Sequence, residues 1–136
     1  MPDKTSESPL SEADAHHLLS ACSDDVFVKT LRGVLLRRRR SGWLTINQAA
    51  ALAGVSARSL QRRLAEQGQT FTQLLDIAKI DLAKQLLRRT DHSLRIIAYE
   101  LGYSKATNFS RAFQRWTGKT PAQFRRETSR AKDDLA

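Results

Sequence analysis

The sequence predicts an all-α chain, two short helix pairs joined by one long central helix. Two observations carry this. Residues 45–67 and 93–117 each hold two apolar-periodic segments parted by a glycine and a serine, Gly54 with Ser56 and Gly102 with Ser104. Residues 70–89 hold one helical period with neither glycine nor proline. The implied organisation is an acidic, flexible leader over 1–23, one domain over 24–128 and a short tail over 129–136.

Taken in order, Met1 to Ser11 is polar, carries Pro2 and Pro9, and reads as disordered. Ser11 with Asp14 has the form of a helix start, after which Leu18, Leu19 and Cys22 give a short apolar stripe. A stronger helix opens at Ser23, with Asp24 and Asp25 at its positive end. Phe27, Leu31, Val34 and Leu35 share one face and belong in the core. Arg37 to Arg40 close it, a run that suits phosphate contact and a solvated, dipole-matched terminus equally. Gly42 breaks the helix.

The first helix pair is LTINQAAALAGVSARSLQRRLAEQG, from Leu44. Thr45 with Gln48 forms a capping box, and Ser56 caps the second helix. Ala50, Gly54 and Leu60 have the spacing of a compact helix-turn-helix. With Ala57, Leu60 and Leu64 inward, Arg58 and Arg62 face out and Gln61 lies on the flank. Thr70 to Arg89 follows as one long helix, opened by a second capping box of Thr70 and Gln73. One stripe holds Phe71, Leu74, Ala78, Leu82 and Leu86, and another holds Ile77, Ile80 and Leu87. A helix packed on two subdomains needs two such stripes.

The second pair lies in SLRIIAYELGYSKATNFSRAFQRWTGKTPAQF, from Ser93 to Phe124. Ser93 caps a helix in which Leu94, Ile97, Ala98 and Leu101 recur at helical spacing. Gly102 ends it, since only glycine enters the left-handed region without a Cβ penalty. Ser104 is expected to cap the next helix, with Phe109, Ala112, Phe113 and Trp116 inward and Thr107, Arg111 and Gln114 outward. Gly118 stops that helix, and Pro121 opens a further short one. Phe109 follows its glycine by one residue more than Leu60 follows Gly54, so the modules are similar rather than repeated.

Ile97-Ala98, Gly102-Tyr103, Phe109, Arg111, Phe113, Gly118, Thr120-Pro121, Phe124 and Arg125 stand in one register. That pattern resembles the signature of the AraC/XylS-type transcription regulators, and the resemblance covers about Ser41 to Glu127. It implies two homeodomain-like helix-turn-helix modules in a sequence-specific regulator that binds double-stranded DNA, or in the DNA-binding part of one. Carried over by position, it implies that Arg58, Gln61 and Arg62 read bases in one major groove. Ala106, Thr107 and Arg111 then read the adjacent groove, Ala106 without a hydrogen bond. Thr45, Ser56, Ser104, Lys105, Gln114 and Arg115 are the implied backbone contacts. Gln114 stands where lysine is common, and Ala106 replaces a polar residue. Both departures bear on which DNA is read.

Independent chemistry points the same way. Arginine pairs bidentately with guanine, glutamine with adenine, and threonine touches a base edge or a thymine methyl. The long helix of about twenty residues spans roughly 30 Å, close to the ~34 Å between successive grooves on one side of DNA. The net charge of +9 suits a polyanion. Residues 1–24 carry five acids against one lysine, so the remainder is more basic still.

No apolar run approaches a membrane span of about 20 residues, and lone Cys22 fits a reducing cytoplasm. No cofactor or metal is expected: His16 and His17 diverge on a helix, His92 lacks a partner at ligand spacing, and all three read as surface residues. No nucleophile set or phosphate loop argues for an enzyme. The rival reading is an interaction module contacting RNA polymerase or another regulator with little DNA selectivity. Members of the resembled family usually carry an effector-binding domain too, for which 136 residues leave no room.

Overall fold

The computed structural model describes residues 10–135, with side chains through 129 except that of Ser41. The expected disorder of residues 1–9 lies outside these. Among the described residues there are eight α-helices and no strand. They are α1 (Glu12–Ala21), α2 (Asp24–Arg37), α3 (Ile46–Ala53), α4 (Ala57–Glu66), α5 (Phe71–Arg89), α6 (Leu94–Glu100), α7 (Ala106–Thr117) and α8 (Pro121–Leu135). One 3-10 turn, Arg39–Ser41, follows α2 and ends at Gly42. The chain divides into two compact units, residues 1–78 and 79–136.

The first unit is built on α2. Its Phe27, Leu31, Val34 and Leu35 are buried, as their spacing predicts. They share a core with Leu44, Ala49, Ala50, Ala53, Leu60, Leu64 and Leu74. Residues 10–21 depart from the expected flexible leader. Ser11 does cap α1, accepting from Asp14 N at 3.1 Å, but the helix packs on α2 and α3 with Leu10, Ala15 and Leu19 in the core. Of the expected stripe, Leu19 is buried and Cys22 packs against the core, but Leu18 is 41% exposed and small Ala15 lies inside in its place. An alanine weighs little in a hydrophobic pattern, yet it is what lets α1 approach closely.

In the second unit the buried set is Ile80, Leu82, Ala83, Leu87, Ile97, Ala98, Leu101, Phe109, Ala112 and Phe113. Aromatic rings run through it, Tyr103 to Phe109 at 5.9 Å, Phe109 to Phe113 at 5.8 Å and Phe113 to Phe124 at 5.5 Å. Both stripes of α5 are used. Leu74 and Ala78 are buried in the first unit and Ile80, Leu82 and Leu87 in the second, while Phe71, Ile77 and Leu86 are half-buried. Arg125 donates to Leu87 O and Thr90 O, both at 3.2 Å, so α8 supplies donors for the carbonyl end of α5. α8 itself begins at Pro121 and runs to Leu135, so the expected tail from 129 is helical through residue 135.

Trp116 corrects the expected core: it is 39% exposed. The last turn of α7 runs out to Gly118, and Phe124 of α8 takes the inner place beside Phe113.

Candidate nucleic-acid interface

Each expected reading helix is the second of a close pair. In the first pair, α3 carries a capping box, with Gln48 N 3.2 Å from Thr45 Oγ1 and Thr45 N 2.9 Å from Gln48 Oε1. That box uses the Thr45 hydroxyl as an acceptor, which leaves its proton to donate outward. Gly54 turns the chain with φ +75°, and Ser56 caps α4 by accepting from Ser59 N at 3.1 Å. Leu60 and Leu64 are fully buried beneath α4. Arg58, Gln61 and Arg62 are all exposed on its outer side. The face therefore has the composition expected, two guanidinium groups and an amide.

Arg63 is different, and sequence reasoning missed it. Its guanidinium lies 3.8 Å over the Phe27 ring and donates to Asp24, with Nη2 to Oδ1 at 2.8 Å. This clamp fixes α4 on α2 from behind. Asp24 is thirty-nine positions away, so no local pattern could have marked the pair. The hydroxyl of Ser59, 3.0 Å from that of Ser56, was also overlooked beside the expected phosphate contact.

In the second pair, α6 is capped by Ser93, which accepts from Ile96 N at 3.2 Å. Gly102 follows with φ +86°. The expected cap at Ser104 is not observed. Lys105 occupies the N-cap position, and its side chain makes no capping hydrogen bond. Ser104 and Lys105 are both exposed at this open helix start, which favours an anion. Phe109, Ala112 and Phe113 anchor α7 from below, while Thr107, Arg111, Gln114 and Arg115 are exposed and Ala106 is half-buried.

Arg58, Gln61 and Arg62 thus share one helix and Thr107 and Arg111 another, each set within its own unit. His16, His17 and His92 are exposed. Among the described residues no group of three His, Cys, Asp or Glu side chains could hold a metal ion, and no helix is long and apolar enough to cross a membrane.

Comparison with known proteins agrees with this geometry. The family described as "Helix-turn-helix domain" matches residues 49–127. The ornithine utilization regulator of Pseudomonas aeruginosa is 42% identical over 91 residues, 67% of this chain and 27% of its own length. The C-terminal domain of AraT, a response regulator from Geobacillus stearothermophilus, superposes with TM-score 0.64 at 31% identity, covering 74% of this chain and 84% of that one. The DNA-binding domain of AdpA, a global transcriptional factor solved in complex with a target DNA, has the same fold. Its TM-score is 0.66 at 24% identity, over 80% of this chain and 97% of that one. The chain spans 27% and 38% of the lengths of two of the curated regulators it matches.

Proposed function

Because the chain belongs to the AraC-type helix-turn-helix transcription regulators, we propose that it binds duplex DNA with α4 and α7 in adjacent major grooves. Arg58, Gln61 and Arg62 read bases in one groove, and Thr107 and Arg111 read the next, with Ala106 packed close to the base edges. Thr45, Ser56, Ser104, Lys105, Gln114 and Arg115 hold the sugar-phosphate backbone. The observation that carries this is the paired design: each second helix has fully buried anchors beneath and an exposed arginine face above. Guanidinium groups offered this way match the O6 and N7 acceptors of guanine. The +9 net charge supplies the sequence-independent attraction.

The protein acts by occupancy rather than catalysis, in the cytoplasmic compartment that holds its DNA. Selection of bound duplexes from a random pool tests this directly. Two enriched half-sites about one helical turn apart are expected, and a pool without enrichment would refute the proposal.

One patch favours a protein contact as well. Tyr99 is 83% exposed and Ile96 47% exposed on α6, the helix that does not read. RNA polymerase bound beside the operator is the partner we assign to it. Tyr99→Ala should then lower promoter output while leaving operator affinity unchanged. Equal loss of both would remove this assignment.

A further inference from the structure

The last turn of α3 presents carbonyls that the helix itself does not use. Gly54 N–H returns to Ala51 O at 3.1 Å, and Val55 N–H to Ala50 O at 3.0 Å. The next carbonyl, Leu52 O, is met from a different part of the chain, by His16 Nδ1 at 2.8 Å. A carbonyl only accepts, so Nδ1 carries the proton and donates it. The same ring rests on Gly54, where an added Cβ would come 2.9 Å from His16 Cε1. Gly54 also has φ +75°, so a side chain there would be opposed by the backbone and would displace the His16 ring.

His16 is carried to this position by α1, which is fixed at several points. Ala15 and Leu19 are buried on either side of it. Just before the helix, Arg38 Nη1 donates to Leu10 O at 2.7 Å. On the other side of the contact, only Val55 and Ser56 separate Gly54 from α4, and Ser56 is the α4 cap. A displacement of the turn therefore passes straight into the start of the reading helix.

From these contacts we infer that His16 is a positioning residue for DNA reading: it holds the turn between α3 and α4, and so the angle at which Arg58 and Arg62 meet the bases. The inference rests on the DNA reading proposed above. It extends the DNA-binding unit to a segment that precedes the matched helix-turn-helix region, and it gives α1 a role.

The test compares His16→Ala and His16→Asn with the parent on a selected site and on single-base variants in each half. An asparagine amide places an N–H where Nδ1 stands, so it restores the bond to Leu52 O without the rest of the ring. The readout is discrimination, the ratio of affinities for correct and altered bases. Partial unfolding lowers binding to every sequence alike and leaves that ratio unchanged. His16→Ala should reduce discrimination in the half read by α4 roughly threefold to tenfold, the scale of one net hydrogen bond. The half read by α7 should keep its parental ratios, and His16→Asn should recover most of the loss. Unchanged ratios in His16→Ala, or an asparagine variant no better than alanine, would overturn the inference while leaving the DNA reading intact. A parent that discriminates in neither half would overturn both.

Discussion

Arg63 and Asp24 join the back of α4 to α2 beneath it, with Nη2 2.8 Å from Oδ1 while the same guanidinium covers the Phe27 ring. Neighbouring arginines on α4 therefore have opposite duties. Arg62 faces solvent, and Arg63 faces the fold.

That division gives the first prediction. Asp24 is largely exposed, so its ion pair contributes about 0.2–1 kcal/mol. The ring contact adds about 0.5–1 kcal/mol. Arg63→Ala loses both and should lower unfolding stability by roughly 1–2 kcal/mol, whereas Asp24→Asn should cost less than 1 kcal/mol. Chemical denaturation measures both. If Asp24→Asn proves the costlier change, the ring contact contributes nothing.

Base reading and backbone holding should separate in binding assays. Arg62→Ala should relax preference in one half-site and Arg111→Ala in the other, each by about 1–3 kcal/mol at a guanine-containing pair. Arg115→Ala should weaken all sequences about equally and make the salt slope shallower by roughly one unit. Binding to single-base variants at fixed salt distinguishes these outcomes. Uniform weakening in Arg111→Ala would demote that residue to a backbone contact, and effects of both arginines in one half would remove the two-groove proposal.

Affinity itself should be strongly salt-dependent. Each phosphate neutralised by a lysine or arginine contributes a slope of roughly 0.9 in log K against log salt, and among the proposed backbone contacts Lys105 and Arg115 carry that charge. Titrations over a range of salt concentrations should therefore fall with a slope of about two or more, and a flat line would contradict duplex binding.

Core truncations test the arrangement of the second unit. Phe113 is fully buried between the Phe109 and Phe124 rings, so Phe113→Ala should cost about 3–5 kcal/mol. Trp116, 39% exposed, has less area to lose, and Trp116→Ala should cost no more than about half as much. Melting curves of the two variants give the comparison, and equal losses would put Trp116 back in the core.

Much of this architecture is local, and local features are legible. Thr45 with Gln48, Thr70 with Gln73, Ser56 and Ser93 make the capping bonds that their spacing implies, because those bonds span three residues. The two stripes of α5 and the buried face of α2 follow from the helical period alone. Trp116 and Ser104 were misplaced because helix ends depend on what lies beside them. The Arg63 clamp and the His16 contact were invisible for a stronger reason. Their partners, Asp24 and Leu52, lie thirty-nine and thirty-six positions away. Which exposed side chains meet bases depends further on a partner outside the chain.

α4 and α7 also begin differently, and this difference has a kinetic meaning. α4 starts with its Ser56 cap already bonded, whereas the N-cap residue of α7, Lys105, makes no capping bond. An unsatisfied start frays more readily and opens at low free energy. In the unbound protein the first turn of α7 should therefore exchange its amide hydrogens faster than that of α4. A phosphate docked beside Lys105, as the proposed backbone contact requires, would supply an acceptor and should slow that exchange. Under the proposed reading, the half of the site assigned to α4 would meet a surface already set, and the half assigned to α7 would complete its own on binding. Encounter and release should then be unequal along the proposed site, with the α7 end the first to let go.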